Sequence, residues 1–214
     1  MIPASWMPPA TMSRIHVHWT AGSYTANATD KTHYHVLVEG DGKLVKGDPS
    51  IALNEAPAKP GYAAHTKNAN SGAIGVSMCC MRNAVERPFD PGPSPMTKTQ
   101  WDVMVRAVAD LAAHYKIPVT DKTVLTHAEV QPNLGIAQSG KWDVAILAFD
   151  QSFDTPKKVG DRMRTEVANA MRAEEPAHPV EPEPAPEPEE QVVVIDITMP
   201  AGIEVQITVN GEAR

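Results

Sequence analysis

Eight histidines in 214 residues give this chain its greatest chemical reach. Imidazole titrates near neutral pH and is the commonest transition-metal ligand, so it can move protons or hold a metal. Neither HExxH nor CxxC occurs, which removes the usual local zinc signatures. The candidates are instead dispersed. His18 ends the run Arg14-Ile-His-Val-His-Trp-Thr20, and Trp19-Thr-Ala-Gly22 follows it. His127 stands after a short apolar run and Thr126, and Lys141-Trp-Asp143 comes later. Taken singly, each of these histidines is more often structural than a ligand. The only cysteines, Cys79 and Cys80, are neighbours in sequence and read as buried, reduced core residues.

Positioning such dispersed groups requires a scaffold. Arg14 to Thr20 alternates, with Ile15 and Val17 on one face and His16 and His18 on the other. Tyr34-His-Val-Leu-Val38 reads as a second strand, turning at Glu39-Gly-Asp-Gly42 into a third, Lys43 to Lys46. Ala73-Ile-Gly-Val-Ser-Met-Cys-Cys80 reads as a central strand. Trp101, Met104, Val105, Val108, Leu111, Ala112 and Tyr115 recur at helical spacing, predicting a helix from about Thr97 to Tyr115 that Pro118 stops. A second helix is predicted after Thr155, with Pro156 in its first turn, running to Ala173. Interleaved strands and helices without a strict repeat imply an α/β (α+β) fold, a central mixed β-sheet flanked by helices.

Composition is that of an ordinary globular protein, 42% hydrophobic and 21% charged, which excludes a wholly disordered chain or a fibrous repeat. No apolar run of about 18 residues occurs, so no membrane-spanning helix is expected. The net charge of −7 is carried by the end of the chain: from Glu174 onward ten acids face one base, and residues 1–173 hold a slight positive excess. Residues 174–190 are almost entirely Pro, Glu and Ala and read as an extended linker. In 191–214 two β-branched runs, Val192 to Thr198 and Ile203 to Val209, flank a Pro/Gly turn and predict a β-hairpin. A lone hairpin is marginal in water, so self-association or docking on a partner is expected of it.

Taken together, His18-Trp-Thr-Ala-Gly22, Tyr34-His35, Ala64-His65, Asn70-Ser-Gly-Ala-Ile-Gly-Val76, His127 and Lys141-Trp-Asp143 resemble, in order, the motifs of zinc amidases of the N-acetylmuramoyl-L-alanine amidase type 2 family. The resemblance runs from Arg14 to Phe149 and is strongest to phage endolysins. It implies a peptidoglycan recognition protein-like fold with zinc on His18, His127 and Asp143. It also implies an oxyanion-stabilising cation at Lys141 and a proton-transfer or positioning group at Tyr34. Trp19, Thr20, His65 and Trp142 are candidates for a substrate groove, and Glu129 reads as a supporting or solvated carboxylate. Residues 1–153 would form the catalytic domain and 154–173 a C-terminal helix.

The implied activity is hydrolysis of the amide between N-acetylmuramic acid and L-alanine in peptidoglycan. Met1 to Met12 has no signal-like pattern. The expectation is therefore an endolysin synthesised in a host cytoplasm that acts on the wall after release. Nucleic acid is not expected as a partner. Three alternatives differ in class: a recycling amidase on soluble muropeptides, a non-catalytic peptidoglycan-binding module, and a wall-breaching component of a phage-like particle. Recycling amidases carry a glutamate base where this chain has Ser77, which favours the phage type.

Overall fold

Alternation along the strands divides the central sheet into two chemically different faces. In the computed structural model, which describes residues 1–174 and 201–202, the elements are β1 (Arg14–Trp19), α1 (Ala28–His33), β2 (Val36–Val38), β3 (Leu44–Lys46), β4 (Ala73–Met78), α2 (Lys98–Tyr115), β5 (Val124–Thr126), α3 (His127–Leu134) and α4 (Pro156–Glu174). Apart from Glu174, Ala201 and Gly202, the expected linker and hairpin lie outside the described residues. The chain divides into two units, Met1–Pro176 and Ala177–Arg214, and all these elements belong to the first.

The strands lie in the order β3-β2-β4-β1-β5. Among the described strands only β2 and β3 pair antiparallel; β1 is parallel to β4 and β5, and β2 is parallel to β4. This is the mixed sheet flanked by helices that the sequence predicts. Residues opposite one another on adjacent strands point to the same side. One side therefore carries Ile15, Val17, Val36, Val38, Ile74, Val76 and Val124, all buried in a core with Trp101, Met104, Val108 and Leu111 of α2 and Val159, Met163 and Val167 of α4. The other side carries His16 opposite Gly75 and His18 opposite Ser77.

Local chemistry fixes the ends of these elements. Thr97 caps α2 by accepting from Gln100 N, and the Gln100 amide donates to the carbonyls of Val38 and Cys79 at 3.2 and 2.8 Å, pinning the helix to two strand ends. Asn27 and Asp30 form a reciprocal cap on α1, a helix that the sequence pattern did not reveal. α3 runs through Pro132 to Leu134, and Gly135 (φ +72°) ends it. Cys79 and Cys80 are buried and free, as expected.

Glu129, read from sequence as a supporting or solvated carboxylate, is buried and ion-paired. Its oxygens accept from Arg164 of α4 at 2.9 and 3.0 Å, and one also accepts from Thr126 N at 3.0 Å. Arg164 donates as well to the Val124 carbonyl and to Asp161. Gly160 makes this approach feasible, since a Cβ there would fall 2.0 Å from a Glu129 oxygen. His35 is buried on the histidine-bearing half of the molecule, accepting from Gly75 N at 2.9 Å and donating from Nε2 to Asn54 Oδ1 at 3.0 Å.

Two outcomes are expected. Arg164→Met leaves a buried carboxylate without its countercharge and should lower stability by roughly 3–5 kcal/mol in denaturant titration; a loss below about 1 kcal/mol would refute the role of the pair. Burial pushes the His35 imidazole from 6.5 down to about 4, against the raising effect of its bond to Asn54. The unfolded chain therefore binds more protons than the native one, and stability held above pH 6.5 is lost as pH falls toward 4, by up to about 3 kcal/mol. His35→Gln, which keeps one donor and one acceptor but does not titrate, should flatten the fall of Tm across that window.

Candidate metal centre

His18, His127 and Asp143 arrive at one place from three parts of the chain. β1 delivers His18 near its C-terminal end, and the parallel neighbour β5 ends at Thr126, so His127 begins α3 at the same edge of the sheet. Asp143 comes from the loop after α3. A free amide of that helix's first turn holds it there, Ala128 N donating to the Asp143 carbonyl at 3.1 Å. The next residue, Val144, is wholly buried with φ +62°. A β-branched residue is strained there by roughly 1–3 kcal/mol, and core burial of its side chain offsets that strain while the backbone turns Asp143 outward.

The three donor atoms form a near-regular triangle. His18 Nδ1 lies 3.0 Å from His127 Nδ1 and 3.4 Å from Asp143 Oδ2, and His127 Nδ1 lies 3.1 Å from the same oxygen. Among the described residues this is the group of histidine and carboxylate side chains that could hold a metal ion. With bonds of 2.0–2.1 Å, ligands at the corners of a tetrahedron stand about 3.3 Å apart, so the spacing fits a small divalent cation such as zinc. Burial pushes His18 down to about 4, against the raising effect of Asp143, so its imidazole is neutral at pH 7. Burial also pushes the Asp143 carboxyl up, but His127 and His18 outweigh it and hold the group well below the usual carboxylate range. The result is two imidazole nitrogens and one carboxylate aimed at a common point.

The far side of His18 is also occupied. Its Nε2 lies 3.2 Å from His65 Nδ1 and 3.3 Å from Thr66 Oγ1, and His65 Nε2 reaches the Ala73 carbonyl at 3.4 Å. The His65 ring packs against Gly75, where a Cβ would come within 2.6 Å of it. That explains the glycine in the middle of β4. His16, on the same strand face as His18, bonds instead to Thr66 Oγ1 at 3.0 Å and takes no part in the triangle.

A groove of about 530 Å³ opens over the triangle, lined among others by Tyr34, His65, His127, Gln138, Lys141 and Asp143. The Tyr34 ring lies 5.2 Å from that of His18, and burial followed by the Asp143 charge pushes its hydroxyl above the ordinary range. Lys141 is exposed at this groove. Of the four residues expected to line it, only His65 does. Trp19 is buried in the core with its ring edge-on to Trp142 at 4.8 Å, and Thr20 Oγ1 accepts from Gly22 N at 3.1 Å to close a turn. No motif singles out Gln138, which is buried with its Oε1 3.0 Å from His127 Nε2. A glutamine in a loop of no regular pattern carries no signal until its neighbours are known.

The described residues contain no helix long and apolar enough to cross a membrane. Among solved structures the chain is similar to the Ph2119 endolysin from the Thermus scotoductus MAT2119 bacteriophage Ph2119, at 15% identity and a TM-score of 0.45 over 77% of this chain and 87% of that one. It is also similar to the N-acetylmuramyl-L-alanine amidase AmiD from E.coli, at 18% identity and a TM-score of 0.41 over 57% of this chain and 50% of that one. A third is the N-acetylmuramoyl-L-alanine amidase LysC from Clostridium intestinale URNW, at 15% identity and a TM-score of 0.38 over 64% of this chain and 96% of that one. No curated protein sequence matches. The family model described as N-acetylmuramoyl-L-alanine amidase (Amidase_2) matches residues 8–144. With more than half of its length so matched, including His18, His127 and Asp143, the chain belongs to the N-acetylmuramoyl-L-alanine amidase family.

Proposed function

We propose that this chain hydrolyses the amide bond between N-acetylmuramic acid and L-alanine in peptidoglycan, with zinc held by His18, His127 and Asp143. We further propose that it serves as a phage-type endolysin acting on the cell wall. The observation that carries the reading is the triangle of donor atoms beneath an open groove, in a chain of the amidase family. In this reading residues 1–153 are the catalytic domain and 154–173 its C-terminal helix.

When bound, a zinc ion supplies Lewis acidity, bringing the pKa of a water to about 7. The chain's own groups do the rest. His18, His127 and Asp143 would hold the ion with three protein donors, the number found in hydrolytic rather than structural sites. Lys141, at the groove, offers a cation to the oxyanion that develops on the scissile carbonyl. Tyr34, beside the His18 ring, orients the attacking water or passes its proton. A recycling amidase is less well supported, because the buried residue opposite His18 on β4 is Ser77, which cannot act as a carboxylate base. A non-catalytic binding module would have no need of three converging donors.

Digestion of purified peptidoglycan followed by mass spectrometry should give free stem peptides beginning at L-alanine, lost on chelation and restored by zinc. Intact muropeptides with mere retention on sacculi would sink the enzymatic reading. Lys141→Ala should lower kcat about 10²–10³-fold at unchanged bound zinc; an unaltered kcat would remove Lys141 from the oxyanion role.

A further inference from the structure

We infer that Gln138 keeps the His127 proton on Nε2, and thereby keeps the Nδ1 lone pair free for the metal. The inference rests on the metal reading above and concerns a residue outside the ligand set.

The geometry leaves little freedom. Gln138 is buried, and its Nε2 donates to the carbonyls of Lys67 at 2.9 Å and Ile136 at 3.2 Å. With both amide hydrogens committed to carbonyls, the orientation of the amide is fixed and Oε1 is the atom that faces His127 Nε2 at 3.0 Å. An amide oxygen only accepts, so Nε2 must carry the hydrogen. A neutral imidazole has one proton to place, and Nδ1 is left bare.

A specific competitor makes this necessary. Asp143 Oδ2 lies 3.1 Å from His127 Nδ1 and is the competing acceptor, able to draw the hydrogen to that nitrogen. A proton placed there occupies the electron pair that a metal needs. Gln138 thus opposes the nearest carboxylate for the same hydrogen. It is itself held from two sides, its backbone N donating to Gln131 Oε1 of α3 at 2.9 Å and its amide reaching the Lys67 carbonyl across the groove. One side chain therefore joins the loop after α3 to the opposite wall and sets the tautomer of His127. Gln138 is a positioning residue, since it acts through His127.

Three full-length proteins test this: the parent, Gln138→Leu and Gln138→Glu. The first readout is the long-range ¹H–¹⁵N spectrum of the metal-free proteins, which assigns the His127 tautomer. The parent should carry the hydrogen on Nε2, and Gln138→Leu should shift it toward Nδ1. The second is zinc affinity by competition with a chromophoric chelator, with thermal unfolding of the metal-free proteins as the check on folding. Gln138→Leu should weaken zinc binding about 10–100-fold. Gln138→Glu, which retains an acceptor for Nε2–H, should recover most of that loss. An unchanged tautomer together with unchanged affinity in Gln138→Leu would overturn the role of Gln138 and leave the metal reading intact. A parent that takes up no zinc would overturn the metal reading, and this inference with it.

Discussion

Three electron-rich atoms held within 3.4 Å of one another form an arrangement that no local sequence preference would sustain. Without a cation or a shared proton, two imidazole lone pairs and a carboxylate repel, and a loose scaffold would let them part. Much of the molecule can be understood as resistance to that separation. Parallel pairing of β1 with β5 sets the distance between His18 and the start of α3. The first-turn amide of Ala128 ties Asp143 to the helix that bears His127. Glu129, two residues further on, anchors that helix to α4 through a bidentate pair with Arg164 in a setting where water does not compete.

The sheet assigns separate tasks to its two faces. The aliphatic face, closed by α2 and α4, supplies the burial that holds the fold together. The other face carries histidines that are buried yet neutral, each with a bonding partner on at least one ring nitrogen. Such a face is costly unless its polar atoms are satisfied, and the small residues of β4 help to satisfy them. Gly75 gives its amide to His35 and its empty side-chain volume to His65. Ser77 keeps the position beside His18 free of charge.

Strands and the two long helices were legible because burial imposes a period, two along β1 and 3.6 along α2, and periods survive in a bare sequence. His18, His127 and Asp143 were legible through short motifs around each, although their convergence was not. What stayed hidden depends on partners far along the chain. Glu129 seemed unpartnered because Arg164 stands 35 residues away on another helix. Gln138 lies in a stretch without pattern, and its worth comes from three neighbours that only folding assembles. Pro132 would read as a helix breaker in a bare sequence, yet it lies inside α3, where it withholds one intrahelical hydrogen bond, and the helix ends two residues later at Leu134. The tryptophans misled in the opposite direction, since adjacency to a ligand in sequence said nothing of which way Trp19 would face.

The pairing of Glu129 with Arg164 bears on where the functional unit stops. The family match ends at residue 144, just past the last candidate ligand. Arg164 lies twenty residues beyond it, on a helix that also contributes Val159, Met163 and Val167 to the core. A fragment trimmed to the matched boundaries would retain every candidate ligand and still lose the countercharge beneath His127, along with one wall of its interior. In this protein the minimal catalytic piece is defined by electrostatic and packing closure, and that closure lies further along the chain than sequence similarity does.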